Sequence, residues 1–200
     1  MLSIINAIVL LIILVLLYSF LHFQDFSLIF VKSKKDNNYH LVRNLPDRKQ
    51  AANRMAEIKN RLTQLVEYLK DKLPNDPRTQ RLIERFDVES IQETRIDSHH
   101  TSFSVDKGEE MHFCLRDKTE NFNLHPLNPL MFVALHELAH VASLKNGHGE
   151  EFQKNFVWIL ENAVQIGIWK NEDYAANNVK YCGDIINSNP LISKMRILKN

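Results

Sequence analysis

The hydrophobic pattern begins with a helix that has no polar face. From Ile4 to Phe23 the chain is uncharged and almost wholly Ile, Leu, Val, Ala and aromatic. About 20 such residues in a helix match the hydrocarbon thickness of a bilayer, and a run apolar on every side does not suit a helix at a soluble surface. Tyr18 and His22 near its far end suit an interface. No Lys or Arg precedes the run and no small-residue cleavage site follows it, which argues against a removed signal. The N-terminus therefore reads as one transmembrane helix, with residues 1–31 as the anchor and residues 4–23 in the lipid bilayer. Lys32, Lys34, Lys35 and Arg43 flank only its far side. By the positive-inside tendency this makes a single-pass membrane protein with its C-terminal domain in the cytoplasm or an equivalent compartment.

Residues 32–45 are polar and read as a linker; the patterned domain occupies residues 46–200. Ala51, Met55, Ile58, Leu62, Leu65, Leu69 and Leu73 recur at steps of three and four, one apolar stripe on a helix that begins near Pro46 and stops at Pro74-Asn75-Asp76-Pro77. A short helix over 78–86 follows, with Leu82, Ile83 and Phe86 inward. Thr101–Val105 and Met111–Arg116 are β-branched, aromatic and alternating, and the Asp106-Lys107-Gly108-Glu109 turn between them predicts a hairpin. Asn128-Pro129 opens an apolar helix running to Leu144, and Asn146-Gly147 ends it. The next helix starts near Gly149, with Glu150 and Glu151 in its first turn and Phe152, Phe156, Ile159, Leu160 and Ala163 on its core face. Beyond Asn171 no clear period remains. Helices around a small hairpin make an α+β domain.

Charge narrows the class only a little. All 25 basic residues lie beyond residue 31, against 23 acidic ones there, a balance that gives no support to nucleic-acid binding. The two cysteines, Cys114 and Cys182, form neither a C-x-x-C pair nor a scaffold of bridges. They read as two reduced, partly buried thiols, in keeping with the cytoplasmic side.

Candidate chemistry is concentrated in Phe132-Val133-Ala134-Leu135-His136-Glu137-Leu138-Ala139-His140-Val141, an H-E-x-x-H inside the apolar helix. Positions four apart share one helical face, so His136 and His140 can reach one metal ion. Glu137 stands beside that ion, where it can take a proton from an activated water. Two histidines and a glutamate are costly to bury in an apolar helix, and a metal supplies their partner. A catalytic zinc usually has three protein ligands. His148, just past the Asn146-Gly147 reversal, is the third candidate, and Glu161 on the following helix is the alternative. Tyr181 is a candidate donor to a developing oxyanion, with core packing as its other reading. His99-His100, His112 and His125 carry no ligand spacing.

The string His136-Glu137-x-x-His140, a short gap, then His148-Gly149-x-x-Phe152 resembles the WLM and SprT-like groups of zincin metallopeptidases. Phe113-Cys114-Leu115-Arg116-Asp117 and Tyr181-Cys182-Gly183 extend the resemblance to small membrane-anchored WLM-like proteins of large DNA viruses. It implies a zincin-like core around a central H-E-x-x-H helix, one Zn2+ per chain on His136, His140 and His148, and Glu137 as general base. It also implies a protein or peptide substrate and a domain in the cytoplasm or virion interior. The basic DNA-binding extension common among SprT-like proteases is missing here. The function expected is that of a membrane-anchored zinc metallopeptidase. A catalytically silent zincin-fold membrane or virion scaffold and a DNA–protein-crosslink-type protease are the alternatives. Oligomeric state is not written in the sequence.

Overall fold

The computed structural model describes residues 2–23, 27–117 and 122–197. Helix α1 (Leu2–Phe23) leads into a hairpin of β1 (Leu28–Lys32) and β2 (Tyr39–Arg43), paired antiparallel. Then come α2 (Arg48–Lys72), α3 (Pro77–Arg85), β3 (Ile91–Glu93), β4 (Phe103–Val105) and β5 (Glu110–Phe113). The chain continues through α4 (Leu127–Val141), α5 (Glu150–Gln165), β6 (Val179–Tyr181), β7 (Asp184–Ile186) and α6 (Pro190–Ile197). The architecture is α+β.

Helix α1 forms, but its membrane role is corrected. Among the described residues no helix is long and apolar enough to cross a membrane. The expected transmembrane anchor, the bilayer contact through residues 4–23 and the single-pass placement with its cytoplasmic or virion-interior domain therefore lose their basis. The stretch expected to be a polar linker holds β2 and the turn before it. Ser33 and Lys34 anchor that turn to α2, Ser33 Oγ donating to Asn53 Oδ1 at 3.0 Å and the Lys34 N–H to the same oxygen at 2.8 Å.

The core follows the apolar stripes. On α2 the residues Ala51, Met55, Ile58, Leu62, Leu65 and Leu69 are fully buried, while Leu73 falls at the helix end and is exposed. In α3 Leu82 is buried and Ile83 points outward, because a nine-residue helix covers the core with one narrow face. Phe152, Phe156, Ile159, Leu160 and Ala163 bury the inner face of α5. Helix α4 lies among α2, α3, α5 and the strands β4 and β5. It starts one residue before the expected Asn128 cap; Asn128 instead pairs with the Lys170 backbone, donating to its carbonyl at 2.9 Å and accepting from its N–H at 3.0 Å.

The predicted hairpin is β4–β5, with Ser104 opposite Met111. It gains a parallel strand, β3, on the far side of β5, giving the order β3-β5-β4 and leaving β4 at the edge. The turn between β4 and β5 presses on α3. Gly108 has φ +116, and a Cβ there would lie 2.7 Å from the Arg85 carbonyl oxygen. Gly108→Ala should therefore cost about 1–3 kcal/mol from backbone strain and overlap. Gly147→Ala meets nothing within 4 Å and should cost only the left-handed strain, about 1 kcal/mol. Thermal unfolding of the two variants checks the order, and equal losses would contradict it.

Cys114 and Cys182 are joined in a disulfide, with no free cysteine among the described residues. The expectation of two reduced thiols is corrected: 68 residues separate them in sequence, and only the packing of the β6–β7 hairpin beside β5 brings them together.

Candidate active site

Helix α4 is held at its C-terminal end, where four carbonyls lack intrahelical partners. Arg81 Nε donates to the Ala142 carbonyl at 2.6 Å, Arg85 Nη1 to those of Val141 and Ser143 at 3.3 and 3.2 Å, and Lys107 Nζ to that of Leu144 at 2.6 Å. These cations also suit the negative end of the helix dipole. The loop that follows is braced by Glu151, whose carboxylate accepts from the N–H groups of Leu144 and Lys145 at 2.8 and 3.1 Å. His148 leaves this loop just before Gly149, the N-cap of α5.

The result is a triangle of imidazoles. The Nε2 atoms of His136 and His140 are 3.2 Å apart, those of His140 and His148 3.1 Å, and those of His148 and His136 3.0 Å. Buried Phe152 supports all three rings, with centroids 4.8, 4.2 and 4.8 Å from those of His136, His140 and His148. Three nitrogens at tetrahedral corners, each ~2.0–2.1 Å from one ion, sit ~3.3 Å apart, close to the spacing observed. A neutral imidazole carries one N–H, so three converging Nε2 atoms cannot all satisfy one another. A cation between them satisfies all three, and the donor set fits zinc. Burial, then the neighbouring imidazoles, pushes His136 down to about 3; burial, then His148 and Lys107, takes His140 down to about 4. Both are neutral at pH 7, as metal ligation requires.

Glu137 is buried beside this triangle. Burial pushes its carboxyl up to about 7, against hydrogen bonds from the side chain and backbone of Ser104 that favour the charged form. Ser104 belongs to β4, so the edge strand and the candidate base meet directly. Glu137, the three histidines, Ser104 and Tyr181 all line one cleft of about 710 Å³.

Comparison with known proteins supplies relatives. Over 166 residues the chain is 36% identical to the uncharacterized protein R325 of Acanthamoeba polyphaga mimivirus, a match covering 81% of this chain and 84% of that protein. The chain belongs to the R325 family. The uncharacterized protein 136R of Invertebrate iridescent virus 6 is 32% identical over 91 residues, 45% of this chain and 49% of that protein. No family model matches the chain. Among solved structures, Wss1 from Saccharomyces cerevisiae is similar, with a TM-score of 0.45 and 24% identity over 60% of this chain and 82% of that one. A Wss1 mutant gives 0.47 and 22%, over 62% and 86%.

In this member of the R325 family, His136, His140 and His148 form the one cluster of metal-ligating side chains found among the described residues. Glu161, the alternative third ligand, lies outside it and pairs with Lys194 at 2.5 Å. Tyr181 is buried in the cleft wall, its hydroxyl 2.7 Å from Ser102 Oγ. Burial raises its phenol pKa, and the nearby Glu137 charge adds to this. His112 stacks on Phe103 at 4.5 Å and bonds Glu110, while His100 is exposed. Ser102, Ser104 and His125 were not legible as site residues. The only signal for the two serines is their alternation along the segment that enters and forms β4, the cleft edge.

Proposed function

We propose that this chain is a zinc-dependent peptidase of the WLM/SprT-like zincin kind, hydrolysing peptide bonds of a protein substrate. The observation that carries this reading is the convergence of three Nε2 atoms beside a buried glutamate in an open cleft. His136, His140 and His148 would hold the ion. When bound, zinc supplies Lewis acidity at the scissile carbonyl and lowers the pKa of water toward neutrality.

The remaining work falls to this chain's own groups. Strand β4 lies at the edge of its sheet along the cleft, and an extended substrate adds to such an edge by main-chain hydrogen bonds beyond the Ser104 N–H that Glu137 already accepts. Glu137 accepts the proton of the attacking water and returns it to the leaving amine. A carboxyl group buried beside the three histidines and open to the cleft suits both halves of that transfer. Tyr181, across the cleft, donates its O–H to the oxygen that becomes negative.

The test is metal content and hydrolysis by the full-length chain. One zinc per wild-type chain is expected by elemental analysis, and well under half of that in His140→Ala. Casein or library-peptide cleavage should stop on chelation and return with zinc. Zinc-loaded protein that hydrolyses nothing across a broad peptide library would instead favour the scaffold reading.

A further inference from the structure

Tyr181 is held by a closed circuit of contacts that the catalytic proposal leaves unused. Its hydroxyl meets Ser102 Oγ at 2.7 Å, and that oxygen accepts the Cys114 N–H at 3.0 Å. Cys114 is bonded to Cys182, the residue next to Tyr181. The Cys182 N–H donates to His125 Nε2 at 3.1 Å, and the His125 ring packs 4.9 Å from the Tyr181 ring. All of these residues except Ser102 are buried.

The hairpin carrying Tyr181 is short, although Tyr181 itself and Val179 and Ile186 pack on the core. Its strands are three residues each, and an isolated two-stranded hairpin is marginal in water. Tyr181 pairs with Asp184 across a two-residue turn, in which Cys182 and Gly183 have φ +52 and +92. Such turns favour Asn or Gly at the first position, and a cysteine there needs outside support. The disulfide and the His125 bond supply it.

We infer that the Cys114–Cys182 disulfide and His125 are positioning elements for Tyr181, so that the peptidase turns over faster in its oxidised form. When the Ser102 hydroxyl donates to the Tyr181 oxygen, the phenol proton is free to point into the cleft. Reduction by a dithiol breaks the Sγ–Sγ bond and leaves two thiols. The two electrons and two protons come from the reductant, which departs as its own cyclic disulfide. The turn then loses its tether, and the phenol loses its fixed place. This inference rests on the peptidase reading above.

The experiment compares full-length wild type, Tyr181→Phe and Cys114→Ser/Cys182→Ser, each before and after dithiol treatment, with zinc content and free thiols measured alongside. Reduction of wild type should lower kcat by about 10–100-fold, the scale of misplacing one catalytic group, with KM and zinc content little changed. The double serine variant should match reduced wild type and ignore the reductant. In Tyr181→Phe, already slow, reduction should add less than about 2-fold, since the two changes remove the same contribution. Unchanged kcat with two titrated thiols would overturn the inference while leaving the peptidase standing. An equal loss on reducing Tyr181→Phe would make the bridge a general brace and overturn it as well. Absence of hydrolysis in both redox forms removes the peptidase reading, and this inference with it.

Discussion

Replacing Glu137 by Gln should leave zinc bound and the fold intact while peptidase turnover falls by roughly 10²–10⁴-fold, the usual contribution of general-base assistance. Gln keeps the side chain's size, and none of the three histidines is touched. What disappears is the carboxylate that accepts a proton from water. The buried site should also tolerate the change, because burial already disfavours the charge and an amide can still donate to Ser104 Oγ. Steady-state kinetics with zinc content and a thermal melt on the same preparation check all three parts. Loss of zinc would move Glu137 into a ligand or folding role. Full activity on a validated substrate would refute the mechanism. A variant that holds an uncleaved protein through purification would name the substrate.

The largest structural effect is expected away from the cleft, at Glu93. Its carboxylate accepts the Arg43 N–H at 2.7 Å and pairs with Arg116 Nη1. Arg43 also donates to the Thr94 and Arg95 carbonyls at 2.7 and 3.1 Å, and Arg116 Nη2 reaches Asp47 at 2.7 Å. Arg43, Glu93 and Arg116 are buried. Burial disfavours the Arg116 charge, but Asp47 and Glu93 more than offset this and hold its pKa above the ordinary value. One carboxylate thus ties β2 to β3 and to the segment after β5. Glu93→Gln keeps the shape and leaves two buried guanidinium groups short of an anion. Breaking such a pair from one side costs about 3–5 kcal/mol. For a chain of this size that is a Tm lowered by about 6–20 °C. Asp47→Asn, at the half-exposed end of the network, should lower it by far less. A Glu93→Gln melt within a degree or two of wild type would show that the network has no such weight.

Local periodicity determined a large part of this protein. The stripe from Ala51 to Leu69, the core face of α5 and the hairpin at Asp106–Gly108 were legible because each depends on a repeat of two or 3.6 residues, or on a turn's own backbone demands. The same reasoning put His136, Glu137 and His140 on one helix, since their spacing is helical geometry. His148 was legible as a candidate because a chain reversal lies between it and His140. At α1 the pattern predicted a helix, and a helix forms, yet its expected membrane span did not survive.

Other features answer to distance in space alone. Strand β3 is three residues long and gains its place from a parallel partner, so it has no local period to read. The Arg43–Glu93–Arg116 network joins residues 50 and 23 positions apart, and each looks like any surface charge until burial is known. Cys114 and Cys182 read as separate thiols because their spacing of 68 residues says nothing about their distance. Tyr181 and Glu161 were weighed on one string and separated by packing: Tyr181 faces the cleft beside Glu137, while Glu161 turns to Lys194. Short-range order is encoded in neighbouring residues. The convergence of side chains from distant segments is settled only when the core closes and fixes which faces meet.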